Sequence, residues 1–221
     1  MDANHERFQA LITTVKEVSS FVLSHFLDPN FKKMTKEDGS IVTSIDSAAE
    51  EMAKELLLSR FPDDSILGEE TGERSGTTSY RWVIDPIDGT ASFARGIPLF
   101  GTQIGLECCG EAVAGAIDMP ATGDFISAIK GSGAFHNELP CKVSEQNSLD
   151  ELMVSTTSYD YFKQSQSMKL HEALVKSGIS TRGYSDCFGF MLLCTGRVDA
   201  VVEPLLHPWD IIPWLPIIHE A

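Results

Sequence analysis

Asp85 and Asp88 stand three positions apart at the end of a short apolar run, Trp82-Val83-Ile84, and Gly89-Thr90 follows where a helix starts. Two carboxylates on so short a loop repel each other unless a cation or hydrogen bonds lie between them. Pro86 fixes one backbone angle and Gly89 permits a close backbone approach, so the loop can aim both carboxylates and several N–H groups at one point. Hard oxygen ligands beside amides that open a helix suit a divalent cation held next to a phosphate. Oxygen donors without a thiolate or imidazole cluster make Mg²⁺ the natural ion, with Mn²⁺ as a substitute.

Two further segments end in acid where an apolar element meets a loop: Glu69-Glu70 after Ser65–Gly68, and Asp210 ahead of the last helix. Taken singly, Asp210 reads as a helix cap, and Glu69 or Glu70 as a solvated turn. Brought together, Glu69, Asp85, Asp88 and Asp210 form an oxygen cage for two or three cations, which can activate water and offset phosphoryl charge. The amides of Gly89 and Thr90 then face the remaining phosphate oxygens, and Thr90 with Glu69 orients the attacking water. A D-x-D-G-T motif would instead signal an aspartyl-phosphate mechanism. Here the spacing is D-x-x-D-G-T, one residue longer, which turns the first carboxylate elsewhere and favours metal-activated water over a covalent intermediate.

These residues need a scaffold. Phe8, Leu11, Ile12, Val15, Val18, Val22 and Phe26 recur at helical spacing over 8–26, and a second helix is expected over Ser44–Arg60, stopped by Phe61-Pro62. Lys36, Asp38 and Gly39 lie in the polar loop between them. Residues 102–107, 112–118 and 125–130 read as strands of an antiparallel meander. Beyond Glu145 the pattern alternates: strand 152–157, helix 168–176, helix 187–195, strand 198–203, and an apolar closing helix over 211–220 that contains Pro213 and Pro216. The expected organisation is an α/β (α+β) chain of two lobes. Residues 1–145 carry most metal ligands, and 146–221 supply Asp210 and the substrate pocket.

The bulk numbers restrict partners. With 17 basic and 32 acidic residues the net charge is −15, so nucleic acid is not an expected partner. An anionic substrate requires bound cations to reverse the local field. The sequence offers no membrane-length apolar run and no signal-peptide pattern, which places the chain in the cytoplasm. Five cysteines without a C-x-x-C pair read as core thiols in a reducing compartment.

Gly68-Glu69-Glu70, residues 82–90, and Trp209-Asp210 leading to Glu220-Ala221 resemble, in order, the motifs of the inositol monophosphatase superfamily, Mg²⁺-dependent and lithium-sensitive phosphatases. The resemblance implies a layered αβαβα sandwich, commonly a homodimer. It assigns Glu69, Asp85 and the Ile87 carbonyl to a first metal, and Asp85, Asp88 and Asp210 to a second. A third, weaker ion would share Glu69, and Asp46 would be an outer-shell carboxylate. Family members continue past Glu-Ala with Gly-rich sequence and further β/α structure, so the C-terminal lobe is expected to be cut short at Ala221.

Within the superfamily, Asp38-Gly39-Ser40, Phe61-Pro62-Asp63, Thr156-Thr157-Ser158 and Ser185-Asp186-Cys187-Phe188 lean toward histidinol-phosphate phosphatases, and thus toward histidine biosynthesis. Asp186 could pair with a substrate ammonium, or else cap a helix. Glu203 matches the residue that contacts inositol hydroxyls and could serve an amine equally. Arg182 reads as a surface arginine, with a part in shaping this pocket as the alternative. The expected substrate is histidinol phosphate. The alternatives are inositol 1-phosphate, or no catalysis in a metal-binding regulatory homologue.

Overall fold

The computed structural model describes residues 3–28, 30–36 and 39–221. Helix α1 (Ala3–Ser24) buries Leu11, Val15, Val18 and Val22 along one stripe. A short hairpin, β1 (Lys33–Thr35) and β2 (Ile41–Thr43), leads into α2 (Ser44–Arg60). Thr43 begins that helix with a capping box. Its Oγ1 accepts from Ile45 N at 3.1 Å, and its own N–H donates to Asp46 Oδ2 at 2.8 Å. The polar-loop residue Asp38 lies outside the described residues.

β3 (Ser65–Gly68), β4 (Gly72–Arg74) and β5 (Tyr80–Asp88) then begin the main sheet, and the single-turn helix α3 (Thr90–Phe93) follows β5 directly. The meander is β6 (Gly101–Cys108), β7 (Glu111–Met119), β8 (Asp124–Ile129), β9 (Ala134–His136) and β10 (Leu139–Pro140). These strands form one sheet in the order β10-β9-β8-β7-β6-β5-β3-β4, with only the β3–β5 pair parallel. β5, β6 and β7 are buried almost continuously, because α1 and α2 cover one face and another helix covers the other.

The C-terminal part contains β11 (Met153–Thr156), α4 (Tyr159–Gln164), α5 (Met168–Ser177), β12 (Ser180–Arg182), α6 (Asp186–Cys194), β13 (Ala200–Val202), α7 (Pro208–Ile211) and α8 (Trp214–Glu220). β11, β12 and β13 make a small parallel sheet in the order β12-β11-β13. α8 packs on β7 and β8 and touches α6. The result is the layered αβαβα sandwich. The closing helix expected over 211–220 is two helices, because Pro213 cannot donate to the helical ladder and α8 restarts there. The division near Glu145 separates the two sheets but not the cores. Ile117, Met119, Ile126 and Ala128 of the large sheet are buried together with Cys187, Met191, Trp214 and Ile217.

The cysteines depart from expectation. Cys187 and Cys194 are core thiols, but Cys108 and Cys141 are only partly covered and Cys109 is exposed. Cys109 sits at a hairpin tip, where the chain must leave the sheet and no layer covers it.

Candidate active site

A regular strand would send Asp85 and Asp88 to opposite faces, since their separation is odd. β5 avoids this with a bulge. Asp85 pairs with Gln103 and Asp88 with Gly101, so three steps on β5 oppose two on β6, and both carboxylates turn to one side. Pro86, without an N–H, sits inside the bulge, and its carbonyl accepts from Thr102 Oγ1 at 2.8 Å. Gly89 follows with φ +82°, left-handed backbone that glycine adopts without cost, and starts α3.

Asp85, Asp88 and Asp210 converge, with one carboxylate oxygen from each lying within 4.8 Å of the others. Asp85 is 1% exposed; its Oδ1 accepts from Ile87 N at 3.1 Å and its Oδ2 from Gln103 Nε2 at 3.2 Å. Asp88 Oδ2 accepts from Cys187 N at the start of α6, where the helix dipole favours an anion. Asp210 is the third residue of α7, and its Oδ2 accepts from His207 N at 2.7 Å. His207 occupies the cap position, so Asp210 is not the N-cap; it closes a capping box from the third helical position through Oδ2 and still lines the shared cavity.

Burial first, and then the neighbouring carboxylates, raise Asp85 and Asp88 well above the ordinary range. Burial likewise lifts Asp210 to about 6. This stack of like charges is relieved by protons or by divalent cations, and hard oxygen donors at this spacing fit the latter.

Glu69 faces the same cavity but stands outside the tight triad. Its Oε1 accepts from Lys36 Nζ at 2.7 Å, and Glu70 Oε1 accepts from the same ammonium at 2.7 Å. Burial pushes Glu70 up to about 7 despite that contact. The turn carrying both glutamates is held from beneath by Glu50 of α2, which accepts from Glu70 N at 2.7 Å and from Thr71 N at 3.0 Å. Gly68 makes room for this, since a Cβ there would lie 2.2 Å from Glu50 Oε1.

Thr90 Oγ1 lies 2.9 Å from Asp46 Oδ1 and 2.7 Å from the Ile87 carbonyl. Its single proton is directed to those acceptors, which leaves an oxygen lone pair to receive a hydrogen bond from a water. Asp46, buried and raised by that burial, thus sits behind Thr90 and accepts from its hydroxyl.

The cavity has a volume of about 760 Å³, and its far wall carries Asp186, Glu203 and Tyr161. Asp186 is the first residue of α6, with φ +58°, and Ser185 occupies the cap position. Asp186 is therefore not the N-cap. Glu203 Oε1 is buried without a hydrogen-bond partner, and burial pushes the carboxyl up to about 8. Burial, followed by Asp186 and the other acids, lifts the Tyr161 phenol to about 12. Arg182 is exposed, donates to the Thr181 carbonyl and does not line the cavity.

Sequence reasoning missed Gln103 and Tyr161. Gln103 is fully buried, and an amide placed inside the β-rich run 102–107 is the sequence signal that could have singled it out. Its Oε1 accepts from Trp214 Nε1 at 2.7 Å while its Nε2 also reaches the Trp209 carbonyl at 3.2 Å, tying Asp85 to the segment that carries Asp210. Tyr161 lies on α4, which at six residues is too short to carry a helical period.

A profile of the inositol monophosphatase family matches residues 3–221. The chain belongs to the inositol monophosphatase family. A histidinol-phosphatase of Chlorobaculum parvum is 34% identical over 215 residues, covering 96% of this chain and 82% of that protein. An inositol monophosphatase of Dictyostelium discoideum is 31% identical over 221 residues, covering 96% and 81%. Among solved structures, the IMPase of Thermotoga maritima superimposes with a TM-score of 0.84 at 32% identity, covering 98% of this chain and 83% of that one. The chain is accordingly a phosphoric monoester hydrolase of a metal-dependent family, with an acidic cluster whose spacing could hold a metal ion. Among the described residues no helix is long and apolar enough to cross a membrane.

Proposed function

We propose that this enzyme hydrolyses a small phosphate monoester bearing a cationic group, histidinol phosphate ahead of inositol phosphate, with Mg²⁺ as its metal. The observation that carries the reading is the far wall. Asp186 and Glu203 are carboxylates beyond the metal set, and Glu203 Oε1 is buried with no partner. Lys36, among the described residues the one lysine or arginine on the cavity lining, is already committed to Glu69 and Glu70. An ammonium on the substrate would supply the missing charge and donors, whereas a neutral polyol supplies donors alone. The relative named histidinol-phosphatase in Chlorobaculum parvum supports this order. Inositol phosphate is the second reading, because Glu203 can accept from hydroxyls and the Dictyostelium discoideum relative is named inositol monophosphatase.

Asp85, Asp88 and Asp210 would hold one ion, and Glu69, Asp85 and the Ile87 carbonyl another. A third would share Glu69. Bound Mg²⁺ supplies Lewis acidity and lowers the pKa of water. The protein's own groups do the rest. Thr90 Oγ1, its proton engaged by Asp46 and Ile87, accepts from the attacking water, and Glu69 accepts the second hydrogen bond. The backbone N–H groups of Gly89 and Thr90 orient the phosphoryl oxygens at the entrance to α3. Asp186 and Glu203 anchor the leaving alcohol's far end. We place the enzyme in the cytoplasm as a homodimer that takes small phosphorylated substrates and no nucleic acid.

Phosphate release from histidinol phosphate and from inositol 1-phosphate, each with and without Mg²⁺, tests the reading. A higher kcat/KM for the amine ester, dependent on Mg²⁺, is expected. A preference for inositol phosphate overturns the order, and inactivity of folded, Mg²⁺-loaded protein toward both esters favours a non-catalytic role.

A further inference from the structure

Cys108 ends β6 and Cys109 opens the two-residue turn to β7, with Cys108 paired to Glu111 across the hairpin. Cys109 has φ +54° and Gly110 φ +80°, the pattern of a type I′ turn. Asn or Asp ordinarily takes the first of these positions, because a side chain without local hydrogen bonding is strained in left-handed backbone. Cysteine has no such compensation. The strained residue instead has a geometric result. Adjacent side chains on a strand point to opposite faces, yet here the turn swings the second thiol back, and the sulfurs lie 3.9 Å apart. Ser79, in the bend just before β5, fixes the arrangement, with its carbonyl accepting from Cys109 N at 2.9 Å and its hydroxyl 3.9 Å from Cys108 Sγ.

We propose that Cys108 and Cys109 form a vicinal dithiol site that chelates a trivalent organoarsenical. Direct oxidation fits poorly, since one trans peptide holds the two Cα atoms about 3.8 Å apart, below the roughly 4.4–6.8 Å that disulfides span. A bridging arsenic enlarges the ring by one atom, and its pyramidal, narrow-angled bonding joins sulfurs that already lie side by side. The reaction balances: R–As=O and two S–H groups give R–As(S)₂ and one water, with both thiol protons leaving on the arsenical oxygen and no change of oxidation state. Cys109 is exposed and Cys108 partly so, which opens the pair to the reagent. The pair lies at the opposite end of β6 from Gln103, five residues along the strand from the bulge that aims Asp85, so occupancy should leave phosphatase activity intact.

The test is titration of the reduced full chain with phenylarsine oxide, read by intact mass and by free-thiol count. One adduct per chain is expected, formed with loss of water and of two thiols. It should survive excess 2-mercaptoethanol and be reversed by 2,3-dimercaptopropanol. Cys108→Ser and Cys109→Ser should each abolish this monothiol-resistant adduct, and Cys141→Ser should keep it. Cys109→Asn should abolish it too while raising the melting temperature by relieving the turn, so loss of the adduct is not loss of fold. Release of the wild-type adduct by the monothiol, or its retention in Cys109→Ser, overturns the proposal.

Discussion

Gln103 Nε2 donates to Asp85 Oδ2 at 3.2 Å from directly across the β5–β6 ladder, at the residue where the bulge begins. The same carboxamide reaches Trp209 and Trp214, so one buried side chain joins the strand that carries two acids to the helix that carries the third. Gln103→Ala should therefore lower stability by about 1–3 kcal/mol, the usual cost of leaving buried polar groups unpaired. It should also weaken Mg²⁺ binding. Urea unfolding and calorimetric Mg²⁺ titration measure both, and unchanged Mg²⁺ affinity would show that Asp85 needs no such support.

Asp88→Asn keeps an oxygen able to accept from Cys187 N but removes the charge beside Asp85 and Asp210. Loss of Mg²⁺ binding with an unaltered circular dichroism spectrum is the expected result. Wild-type affinity in this variant contradicts the ligand assignment.

Asp186→Asn and Glu203→Gln should separate the two candidate substrates. Losing a charged hydrogen bond to an ammonium costs about 1.5–3 kcal/mol, so kcat/KM for histidinol phosphate should fall by about 10- to 100-fold in each variant. Turnover of inositol 1-phosphate should move far less. Parallel losses on both esters would mean that the far wall merely shapes the cavity.

Metal-free protein should become less stable as pH rises. Burial raises Asp210 from 3.8 to about 6, Glu70 from 4.5 to about 7 and Glu203 from 4.5 to about 8. Over these intervals the folded state holds protons that the unfolded chain has released, so stability declines from about pH 4 to about pH 8. Saturating Mg²⁺ should flatten the decline, since ions replace the protons around Asp210. Melting temperatures in chelator across that range are the measurement, and a steady increase with pH would refute the expectation.

Asp64 is the structural counterpart on the far edge of the sheet. It accepts from Arg7 Nε at 2.8 Å and Nη2 at 3.0 Å, from Thr78 Oγ1 at 2.6 Å and from Trp82 Nε1 at 3.1 Å. Asp64→Ala strands a guanidinium that also covers the Tyr80 ring, and should cost about 3–5 kcal/mol in urea unfolding. A loss below about 1 kcal/mol would mean that water readily replaces the carboxylate.

Local signals were legible where they were chemically marked. Phe61-Pro62 stops α2, whose limits the sequence reading matched, and β3 likewise ends at Gly68. The D-x-x-D-G-T loop announced two of the three converging acids. The bulge did not show, because a pattern of apolar residues has no mark for a skipped pairing. Lys36 was legible as a loop residue, but its grip on Glu69 and Glu70 spans more than thirty positions and depends on where the β1–β2 hairpin folds. β1 and β12 were missed for a simpler reason: every residue in them is exposed, so no apolar alternation marks them. The first helix was placed a turn late because its opening residues are polar and uncovered.

Trp214 and Ile217, fully buried, share their packing with Ile117 and Ile126 of the large sheet. The carboxy-terminal third therefore shares its interior with the large sheet. A protease cut between Cys141 and Ser148 should yield two pieces that stay together through chromatography and melt as one. Expressed without its companion, the larger piece would present the bare side of β7 and β8 to solvent and precipitate.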